Sequence, residues 1–467
     1  MNIFRELFTN NNKSYIHSNG SDYSYKSLIQ DADNFSSFTL GRPLVFIVTN
    51  NSYDCLTGYV GSLRANAVVA LINDSIHESM WNDLVINFKP AFIYQPENLF
   101  QSENIWKQKF KFGNYVLYKT NIEIDYNIND DLSLLLMTSG STGSPEFVRL
   151  SNTNIYSNTK SICEYLKIKN NDVAITTLPM SYSYGISIIN THLFMGASLI
   201  LTDRSLMEKK FWEMISSYKA TTFGGVPYTF EMLKKLKFEK ISIPSIEYIT
   251  QAGGQLGQGL LDYFSITCVQ KKIDFIVMYG QTEASPRMSY LPPSMIQQKP
   301  GSIGVSIPGG KFYLIDDKHQ IIGKALVEGE LVYEGENVFL GYARNCYDLT
   351  KGDFNKGVLE TGDMAKMDSD GYYYITGRKK RFLKLFGNRV SLDQIEQKIN
   401  EAGYNCACVG VDDQMKIYTD KESDVENIYK FISQYFNINK SGFSINCIDT
   451  IPRNNSGKIL YPELDKN

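Results

Sequence analysis

Short apolar runs alternate with longer helical patterns from about residue 40 to residue 300 of the chain. Runs of this kind that recur between helices are typical of parallel β-sheets whose faces are covered by helices. The clearest runs are LVFIVT (44–49), VVALI (68–72), LSLLLMT (132–138) and DFIVMY (274–279). The alternation therefore predicts an α/β fold for this part of the chain.

The sequence pattern changes after Pro300. Glycines then separate short strands such as KFYLID and GELVYEG, as in antiparallel β structure, and predict a smaller β-rich unit. Amphipathic helical patterns near 391–403 and 424–436 alternate with strands and predict a compact α+β domain from about 380 to 467. A chain of 467 residues, 43% of them apolar, has room for roughly three such units. We expect the last boundary near residues 377–381.

The composition argues against several classes of partner. The net charge is only -3, and scattered Lys and Arg residues leave no electrostatic footprint for nucleic acid or an anionic membrane. The seven cysteines form no C-x-x-C pair, which disfavours a disulfide framework or a zinc site and favours a reducing compartment. No apolar run approaches the roughly eighteen residues that span a bilayer, and the first residues lack the apolar core of a signal peptide. We therefore expect a cytoplasmic protein without a membrane span or a nucleic-acid partner.

The strongest local signal is MTSGSTGSP at residues 137–145, directly after the apolar run LSLLL. Small hydroxyl residues and glycines there let backbone N–H groups and hydroxyls close around a phosphate chain without Cβ clashes. The segment is not a Walker A loop, since GxxxxGK[ST] occurs nowhere in the chain, and an ordinary Gly/Ser turn is the structural alternative. The candidate polyphosphate contacts are Thr138, Ser139, Gly140, Ser141, Thr142 and Gly143.

A second signal is MYGQTEAS at residues 278–285, again at the end of an apolar strand, where α/β sheets bind their ligands. Tyr279 offers a flat aromatic face. Thr282 offers a hydroxyl for a phosphate, and Glu283 offers a carboxylate for Mg²⁺. A strand-end turn with a solvated glutamate is the alternative interpretation of this segment.

A third signal is ETGDMAKMDSDGYYYITGRKKR at residues 360–381, in which we expect Asp363 and Arg378 to lie in turns that flank a hairpin. An aspartate suits bidentate binding of a ribose diol, and Arg378 can add donors to the same sugar or to a phosphate. A turn-capping aspartate and a surface arginine are the structural alternatives.

The fourth signal is IPRNNSGKILY at residues 451–461, where Lys458 follows a loop bounded by proline and glycine. A single lysine there is usually only solvated, and each of the four segments has a structural explanation when taken alone. Chance is a poor explanation for all four together, because they occur in one chain, the first two at strand ends and the last two in or beside the small domain.

These segments resemble the core motifs of the adenylate-forming superfamily of acyl-CoA synthetases, peptide-synthetase adenylation domains and firefly luciferase. The resemblance covers nearly the whole chain. It implies an α/β, acyl-CoA synthetase-like fold, with two α/β subdomains and a β subdomain at residues 1–377. A small mobile α+β domain would follow at residues 378–467 and rotate between two poses.

The resemblance implies an ATP-dependent acid–thiol ligase that activates a small carboxylic acid as acyl-AMP, releases pyrophosphate and transfers the acyl group to coenzyme A. It would use ATP, Mg²⁺ and coenzyme A, or the phosphopantetheine of a separate carrier protein. A carrier-protein adenylation enzyme for acyl or aminoacyl groups, an amine acceptor and a degenerate nucleotide-binding member with weak turnover remain open. A hydrolase is disfavoured, because no histidine lies in a motif and G-x-S-x-G is absent from the sequence.

The resemblance also assigns roles to the residues of the second motif. Tyr279 would lie beside the adenine, Thr282 would contact a phosphate, and Glu283 would associate with Mg²⁺. Gly280 is a further candidate for cofactor binding.

The later motifs receive roles in the same way. Asp363 and Arg378 match the ribose-binding pair. Lys458 matches the lysine that bridges the acyl carboxylate and the AMP phosphate, where its charge would stabilise the negative charge developing during attack. Gly387 matches the surface that approaches the pantetheine arm, and Arg381 stands at the hinge, where aspartate or lysine is usual.

Two further departures from the family pattern affect the site. The usual lysine after the first loop is replaced by Glu146, which removes a cation near the outer phosphates. Arg149 is a candidate to compensate, although strand alternation leaves its direction open. In LPMSYSYG at residues 178–185 the frequent histidine of the family is replaced by Tyr182.

The region around Tyr182 also limits the acid. Amino-acid-activating relatives usually place an aspartate just beyond this position, where this chain has Ser183, and residues 173–202 contain no carboxylate. Because an unpaired buried ammonium is costly, we expect an acid without an α-amino group, and bulky tyrosines favour a short or aromatic one. The acyl pocket is expected to border on Tyr182, Tyr184, Gly185, Gly225, Gly253 and Gly254. Gly253 and Gly254 are also candidate cofactor contacts.

Overall fold

A computed structural model describes residues 4, 14–97, 99–100, 106–139, 145–385, 388–436, 438–453 and 459–464. The strands are β1 (Tyr15–Ser18), β2 (Ser21–Ser24), β3 (Leu44–Thr49), β4 (Val68–Asn73), β5 (Phe92–Pro96), β6 (Lys107–Phe112), β7 (Tyr115–Lys119), β8 (Leu132–Ser139), β9 (Pro145–Ser151), β10 (Val173–Ile175), β11 (Ser198–Leu201), β12 (Thr222–Gly225), β13 (Tyr248–Gln251), β14 (Asp274–Tyr279), β15 (Ser289–Leu291), β16 (Val305–Ser306), β17 (Gly310–Ile315), β18 (Gly329–Gly335), β19 (Gly341–Ala343), β20 (Val358–Met367), β21 (Tyr373–Arg378), β22 (Phe382–Leu385), β23 (Asn388–Ser391), β24 (Cys406–Val411), β25 (Gln414–Thr419) and β26 (Phe443–Cys447).

The helices are α1 (Tyr25–Ser36), α2 (Tyr53–Arg64), α3 (Glu78–Phe88), α4 (Asn152–Leu166), α5 (Ser183–Met195), α6 (Lys209–Tyr218), α7 (Pro227–Lys235), α8 (Gln258–Lys271), α9 (Leu392–Glu401), α10 (Val425–Tyr435) and α11 (Tyr461–Leu464). Among the described residues, no helix has both the length and the apolar character that crossing a membrane requires.

The first large sheet has the strand order β19-β9-β8-β4-β3-β5-β7-β6. Its middle strands β8, β4, β3 and β5 are parallel, whereas β19, β9, β7 and β6 pair antiparallel with their neighbours. The predicted strands at 44–49, 68–72 and 132–138 are thus confirmed as β3, β4 and β8. The expected parallel pairing is present in the middle of the sheet, and antiparallel strands are added at its edges. Short connections such as the one between β8 and β9 can only join antiparallel strands.

The second large sheet has the order β16-β15-β14-β13-β12-β10-β11-β1-β2. Parallel pairing runs from β14 to β1, and antiparallel strands again close both edges. The hairpin β1–β2 comes from the beginning of the chain, so one edge of this sheet is formed by a segment that is distant in sequence from the other strands. The strand β14 confirms the prediction at 274–279, and its carboxyl end carries the second motif.

An antiparallel sheet with the order β17-β18-β20-β21 follows, as predicted from the glycine-punctuated strands after Pro300. It packs against the large sheets, because Phe312, Leu331 and Tyr333 belong to the same buried cluster as residues of β3 and β4. A hydrogen bond from Tyr279 to Asp363 places the middle of β20 beside the end of β14.

The C-terminal segments form the sheet β24-β25-β26, the hairpin β22–β23 and the helices α9 and α10. The two helices lie where the amphipathic patterns predicted them. Their apolar faces and the strands enclose a cluster of their own, to which Leu383, Ile395, Ile417, Ile428 and Ile432 belong. The last strand before this cluster, β21, ends at Arg378.

Candidate active site

Asp363 and Arg378 face each other across β20 and β21 as direct partners in the strand register. Asp363 is only 3% exposed, and its Oδ1 atom lies 3.1 Å from Nε of Arg378. The charge of Asp363 raises the pKa of the Arg378 guanidinium, which therefore stays protonated. The expectation that both residues lie in turns is wrong. The turn lies between the two strands, and both residues belong to the paired ladder.

Tyr279 and Gln281 reach the other oxygen of the Asp363 carboxylate from the end of β14. The Tyr279 hydroxyl donates to Oδ2 at 2.5 Å, and Nε2 of Gln281 donates to the same atom at 3.0 Å. Burial raises the pKa of the Tyr279 hydroxyl, which therefore stays protonated and acts as a donor. The sequence reasoning missed Gln281, although it lies inside the second motif. These bonds tie the second large sheet to β20.

The backbone of Pro286 approaches position 280 so closely that only a glycine, Gly280, fits there. A Cβ atom at this position would lie 1.8 Å from the carbonyl oxygen of Pro286. A side chain would therefore displace the turn that carries Thr282 and Glu283 away from the end of β14.

Thr282 and Glu283 each contact a different part of the molecule. The Thr282 hydroxyl lies 3.0 Å from the hydroxyl of Ser183 at the start of α5. Oε1 of Glu283 accepts a hydrogen bond from the Tyr342 hydroxyl at 2.8 Å. No ion pair within the described ranges includes Glu283, so its carboxylate keeps lone pairs for a hard cation. This environment fits the magnesium role predicted for Glu283.

The predicted polyphosphate loop joins β8 and β9. Thr138 and Ser139 end β8, opposite Glu146 and Pro145 of β9. The loop candidates Gly140, Ser141, Thr142 and Gly143 lie outside the described residues, and their role stays a prediction.

Glu146, which replaces the usual lysine after this loop, is held in an ion pair. Its Oε2 atom lies 3.2 Å from Nε of Arg344, which directly follows β19, the partner strand of β9. The Arg344 side chain is 70% exposed, whereas the Glu146 side chain is largely buried. A cation therefore does lie at the base of the loop, and it is supplied by Arg344.

Arg149 serves a different purpose from the one suggested by the sequence. It is fully buried, and Nη2 donates to the carbonyl oxygens of Leu340 at 2.9 Å and Gly352 at 3.1 Å, while Nη1 donates to the carbonyl oxygen of Lys351. These hydrogen bonds hold the segment 340–352 against β9. It points into the protein and does not compensate for the missing loop lysine.

The residues predicted to border the acyl pocket fall into two groups. The first group is accessible: Tyr182 is half-buried, and Gly253 and Gly254 are exposed. A Cβ atom at Gly253 would lie 2.6 Å from the Tyr182 hydroxyl, and the φ angle of +84° at this glycine disfavours any side chain. The Tyr182 hydroxyl therefore packs directly against Gly253.

The second group is buried behind this rim. The Tyr184 hydroxyl lies 2.7 Å from the hydroxyl of Thr250. A Cβ atom at Gly185 would lie 2.2 Å from the carbonyl oxygen of Pro179, and one at Gly225 would lie 2.7 Å from the Thr229 side chain. Both glycines thus allow close packing, and their contact with an acyl group stays a prediction.

The predicted hinge residue Arg381 is anchored in the C-terminal part of the chain. Its Nε pairs with Asp393, Nη2 lies 3.1 Å from Glu396, and Nη1 donates to the carbonyl oxygen of Cys408 at 3.1 Å. Any rotation about the hinge would therefore carry Arg381 with the small domain. The candidates Lys458 and Gly387 lie outside the described residues.

The chain matches the family described as AMP-binding enzyme over residues 5–343. It is 24% identical over 475 residues to an oxalate–CoA ligase of Saccharomyces cerevisiae, covering 89% of this chain and 85% of that protein. It is 26% identical over 351 residues to a 2-succinylbenzoate–CoA ligase of Bacillus licheniformis, covering 72% of this chain and 70% of that protein.

The fold is similar to that of an o-succinylbenzoate CoA synthetase of Bacillus subtilis in complex with its acyl-adenylate intermediate. The TM-score is 0.80 at 18% identity, over 99% of this chain and 97% of that one. The same enzyme with ATP and a magnesium ion gives a TM-score of 0.78. These comparisons confirm the fold class and the family predicted from the four motifs. The chain belongs to the AMP-binding enzyme family, and the two relatives named above are CoA ligases.

Proposed function

We propose that this enzyme is a ligase that uses ATP and Mg²⁺ to activate a small carboxylic acid without an α-amino group as acyl-AMP, and that it transfers the acyl group to coenzyme A. Its nucleotide is held around Asp363. The buried Asp363 carboxylate carries the proposal. Arg378 lies against one of its oxygens, and Tyr279 and Gln281 donate to the other. A carboxylate fixed by three donors keeps acceptor sites in a set direction, which suits the two hydroxyls of a ribose.

The remaining contacts of the nucleotide follow from chain order. Tyr279, Thr282 and Glu283 lie on one strand end and the turn after it, so an adenine, a phosphate and a metal ion would bind along a single short segment. Glu283 would hold the Mg²⁺ that neutralises charge on the pyrophosphate leaving group. Arg344 would face the outer phosphates from the opposite side of the loop base.

The chemistry needs positioning and charge, without a covalent enzyme intermediate. One oxygen of the acid forms a bond to the α-phosphorus, the bond to the β-phosphate oxygen breaks, and pyrophosphate leaves. Lys458 would stabilise the negative charge that develops on the oxygens around the α-phosphorus. In the second step a thiolate attacks the acyl carbon, and AMP leaves.

The surroundings of the predicted acyl pocket support an acid without an α-amino group. Ser183 stands where an ammonium partner would be expected, and its hydroxyl already contacts the Thr282 hydroxyl at 3.0 Å. An ammonium in this place would have no carboxylate from α5 or the loop before it, which makes its burial costly.

The cysteines support the cytoplasmic compartment expected from the sequence. All seven are free thiols, and six of them are buried. Buried thiols that pack as small apolar groups suit a reducing environment.

Pyrophosphate release tests the proposal, with ATP, Mg²⁺ and a panel of short, aromatic, hydroxy and amino acids, each with and without coenzyme A. We expect release that depends on one class of acid without an α-amino group and rises with coenzyme A. An acid-dependent signal that coenzyme A leaves unchanged would assign the acyl group to the phosphopantetheine of a carrier protein. Release that depends on an α-amino acid would contradict the proposed substrate class.

Two variants of β20 test the nucleotide site in the same assay. Asp363→Asn should raise the KM for ATP by roughly ten- to a hundredfold, because a charge-assisted hydrogen bond is worth about 1.5–3 kcal/mol. Glu360→Gln removes the same charge from an exposed position of the same strand and should leave the KM nearly unchanged. Equal effects of the two substitutions would show that Asp363 does not hold the nucleotide.

A further inference from the structure

Tyr342 and Glu283 are joined by a hydrogen bond between segments that lie 59 residues apart in the chain. The Tyr342 hydroxyl donates to Oε1 of Glu283 at 2.8 Å. Loss of hydration at this hydroxyl and the charge of Glu283 raise the pKa of Tyr342, so the hydroxyl stays protonated and acts as the donor. The bond occupies one oxygen of the carboxylate, and Oε2 is the other oxygen that can bind a cation.

The turn that carries Glu283 is hydrogen-bonded to the stretch of chain just before β19. The backbone N–H of Phe339 donates to the carbonyl oxygen of Glu283 at 2.9 Å. Nδ2 of Asn337 donates to the carbonyl oxygen of Ala284 at 2.6 Å, and the Ser285 hydroxyl donates to the carbonyl oxygen of Asn337 at 2.8 Å. One continuous segment thus holds the backbone and the side chain of the predicted metal ligand.

Tyr342 is itself held in place by β9. The N–H of Leu340 donates to the carbonyl oxygen of Arg149 at 2.8 Å, and Nη2 of Arg149 donates to that of Leu340 at 2.9 Å. At Gly341 the φ angle is +127°, and a Cβ atom would lie 2.9 Å from Nη2 of Arg149. The Tyr342 ring packs edge-on against Phe339, with 4.9 Å between the centroids. The fold therefore sets the direction of the Tyr342 hydroxyl.

A second carboxylate lies near the same hydroxyl. Besides the loss of hydration and Glu283, the charge of Glu146 also raises the pKa of Tyr342. Glu146 has a partner of its own, because its Oε2 atom lies 3.2 Å from Nε of Arg344. The two carboxylates thus have different partners, and the Tyr342 hydroxyl is left for Glu283.

A carboxylate that binds a metal ion is usually oriented by a hydrogen bond from a neighbouring side chain, and losing that neighbour weakens metal binding. We propose that Tyr342 is a positioning residue for the magnesium site: its hydroxyl holds Oε1 of Glu283 and leaves Oε2 for the ion. A long carboxylate side chain loses rotamer freedom when it is fixed, and this hydrogen bond restricts it before the ion binds. The inference rests on the magnesium role of Glu283 in the proposed function.

Binding of ATP tests the proposal without turnover. The dissociation constant of ATP is measured with EDTA and with Mg²⁺, and the ratio of the two values is the magnesium gain. Tyr342→Phe removes only the hydroxyl of a residue that is 42% exposed, so the variant should fold. We expect Tyr342→Phe to lower the magnesium gain by about tenfold, with less than about a twofold change in EDTA. A distorted site would weaken ATP binding in both conditions, and an unchanged magnesium gain would overturn the proposal.

Tyr347→Phe is the matched control. The Tyr347 hydroxyl also donates to a carboxylate, at 2.9 Å from Oδ2 of Asp125, and it does so on an exposed surface. This variant should leave both dissociation constants unchanged. If it lowers the magnesium gain as much as Tyr342→Phe does, the effect is not specific to Glu283 and the proposal is wrong.

A double mutant tests whether Tyr342 acts through Glu283. Glu283→Gln should lower the magnesium gain, and adding Tyr342→Phe to Glu283→Gln should lower it no further, because the two residues act as a unit. A further fall of about tenfold in the double mutant would show that Tyr342 acts independently of Glu283, against the proposal. A magnesium gain that Glu283→Gln leaves unchanged would overturn both the metal role of Glu283 and the positioning role of Tyr342.

The magnesium gain needs no acid, which separates this inference from the rest of the proposed function. A lower gain in Tyr342→Phe supports the positioning role even if no acid supports pyrophosphate release, and that combination would overturn the acid activation alone. Acid-dependent release, together with a gain that falls in Glu283→Gln and not in Tyr342→Phe, would overturn the positioning role alone.

Discussion

The guanidinium carbon of Arg381 lies 3.7 Å from the centroid of the Tyr461 ring. Tyr461 also donates a hydrogen bond to Oε1 of Glu396 at 2.8 Å, and Arg381 pairs with the other oxygen of the same carboxylate. Ile459, two residues before Tyr461, pairs with Arg453 in an isolated β-bridge. Tyr461, three residues after Lys458 in the chain, thus contacts the side chain at the predicted hinge.

Tyr461→Ala should therefore slow adenylate formation by roughly three- to thirtyfold, since a contact between arginine and an aromatic ring is worth about 0.5–2 kcal/mol. Tyr461→Phe keeps the ring and should have a smaller effect. Tyr435→Ala, which removes an exposed tyrosine of the same domain, serves as the control. Single-turnover formation of acyl-AMP measures the effect, and equal rates for wild type and Tyr461→Ala would show that this contact does not position the lysine segment.

Lys458→Ala should lower the rate of adenylate formation by about a hundredfold or more, as expected for the loss of a group that stabilises developing charge. Transfer of a supplied acyl-adenylate to coenzyme A should change little, because the resemblance to the family implies that this lysine acts in only one of the two poses. Lys430→Ala removes an exposed lysine of α10 and should affect neither step. Equal losses in both half-reactions for Lys458→Ala would refute this division of labour.

Glu146→Gln should raise the affinity for ATP by about two- to fivefold, the effect of releasing one partly exposed ion pair. The charge of Arg344 is then free to face the outer phosphates. Glu146→Lys, which restores the usual cation, should raise affinity further. Adding Arg344→Gln to Glu146→Gln should cancel the gain, which equilibrium binding of ATP can measure. A fall in affinity for Glu146→Gln alone would mean that the glutamate itself contributes to binding.

His192 should make stability depend on pH. Burial lowers the pKa of its imidazole from 6.5 to about 4. The unfolded chain binds a proton below about pH 6.5, whereas the folded chain does so only below about pH 4, so stability is lost as pH falls through that window. The loss between pH 7 and pH 5 amounts to about 2 kcal/mol.

His192→Asn should remove this contribution, so that its free energy of unfolding falls less than that of the wild type between pH 7 and pH 5. His77→Asn removes an exposed histidine at the N-terminus of α3, keeps a capping side chain, and should retain the pH dependence of the wild type. Urea unfolding at the two pH values gives the comparison. A pH dependence of His192→Asn that equals that of the wild type would assign the effect to other groups.

The strands β3, β4, β8 and β14 could be predicted because their signal is local. Each is a short apolar run without helical periodicity, and β8 and β14 are followed by small or polar residues at the sheet edge. The direction of the edge strands could not be predicted in this way, because it depends on where the chain returns to the sheet. The positions of Asp363 and Arg378 were misjudged for a related reason, since strand pairing can place polar residues opposite each other inside a ladder.

The partners of the two acidic residues had no signal in the sequence. Tyr342 lies 59 residues from Glu283, and Arg344 lies 198 residues from Glu146. They reach the site only because β19 pairs with β9. Consecutive residues 146–151 of β9 are all buried, so both faces of this strand are covered, and alternation alone could not decide that Arg149 points inward.

The pairing of β19 with β9 also bears on how the chain is made. The edge strand of the first large sheet, residues 341–343, is synthesised long after β9. One carbonyl oxygen that accepts a hydrogen bond from Arg149 likewise belongs to a residue 191 positions later in the chain. Contacts with such long sequence separation slow folding. Until they form, β9 presents an open edge that other chains can pair with. In a truncated chain that ends before Gly341, the edge of β9 stays unpaired. We therefore expect nascent chains to aggregate more readily when synthesis stalls before Gly341 than when it stalls after Ala343.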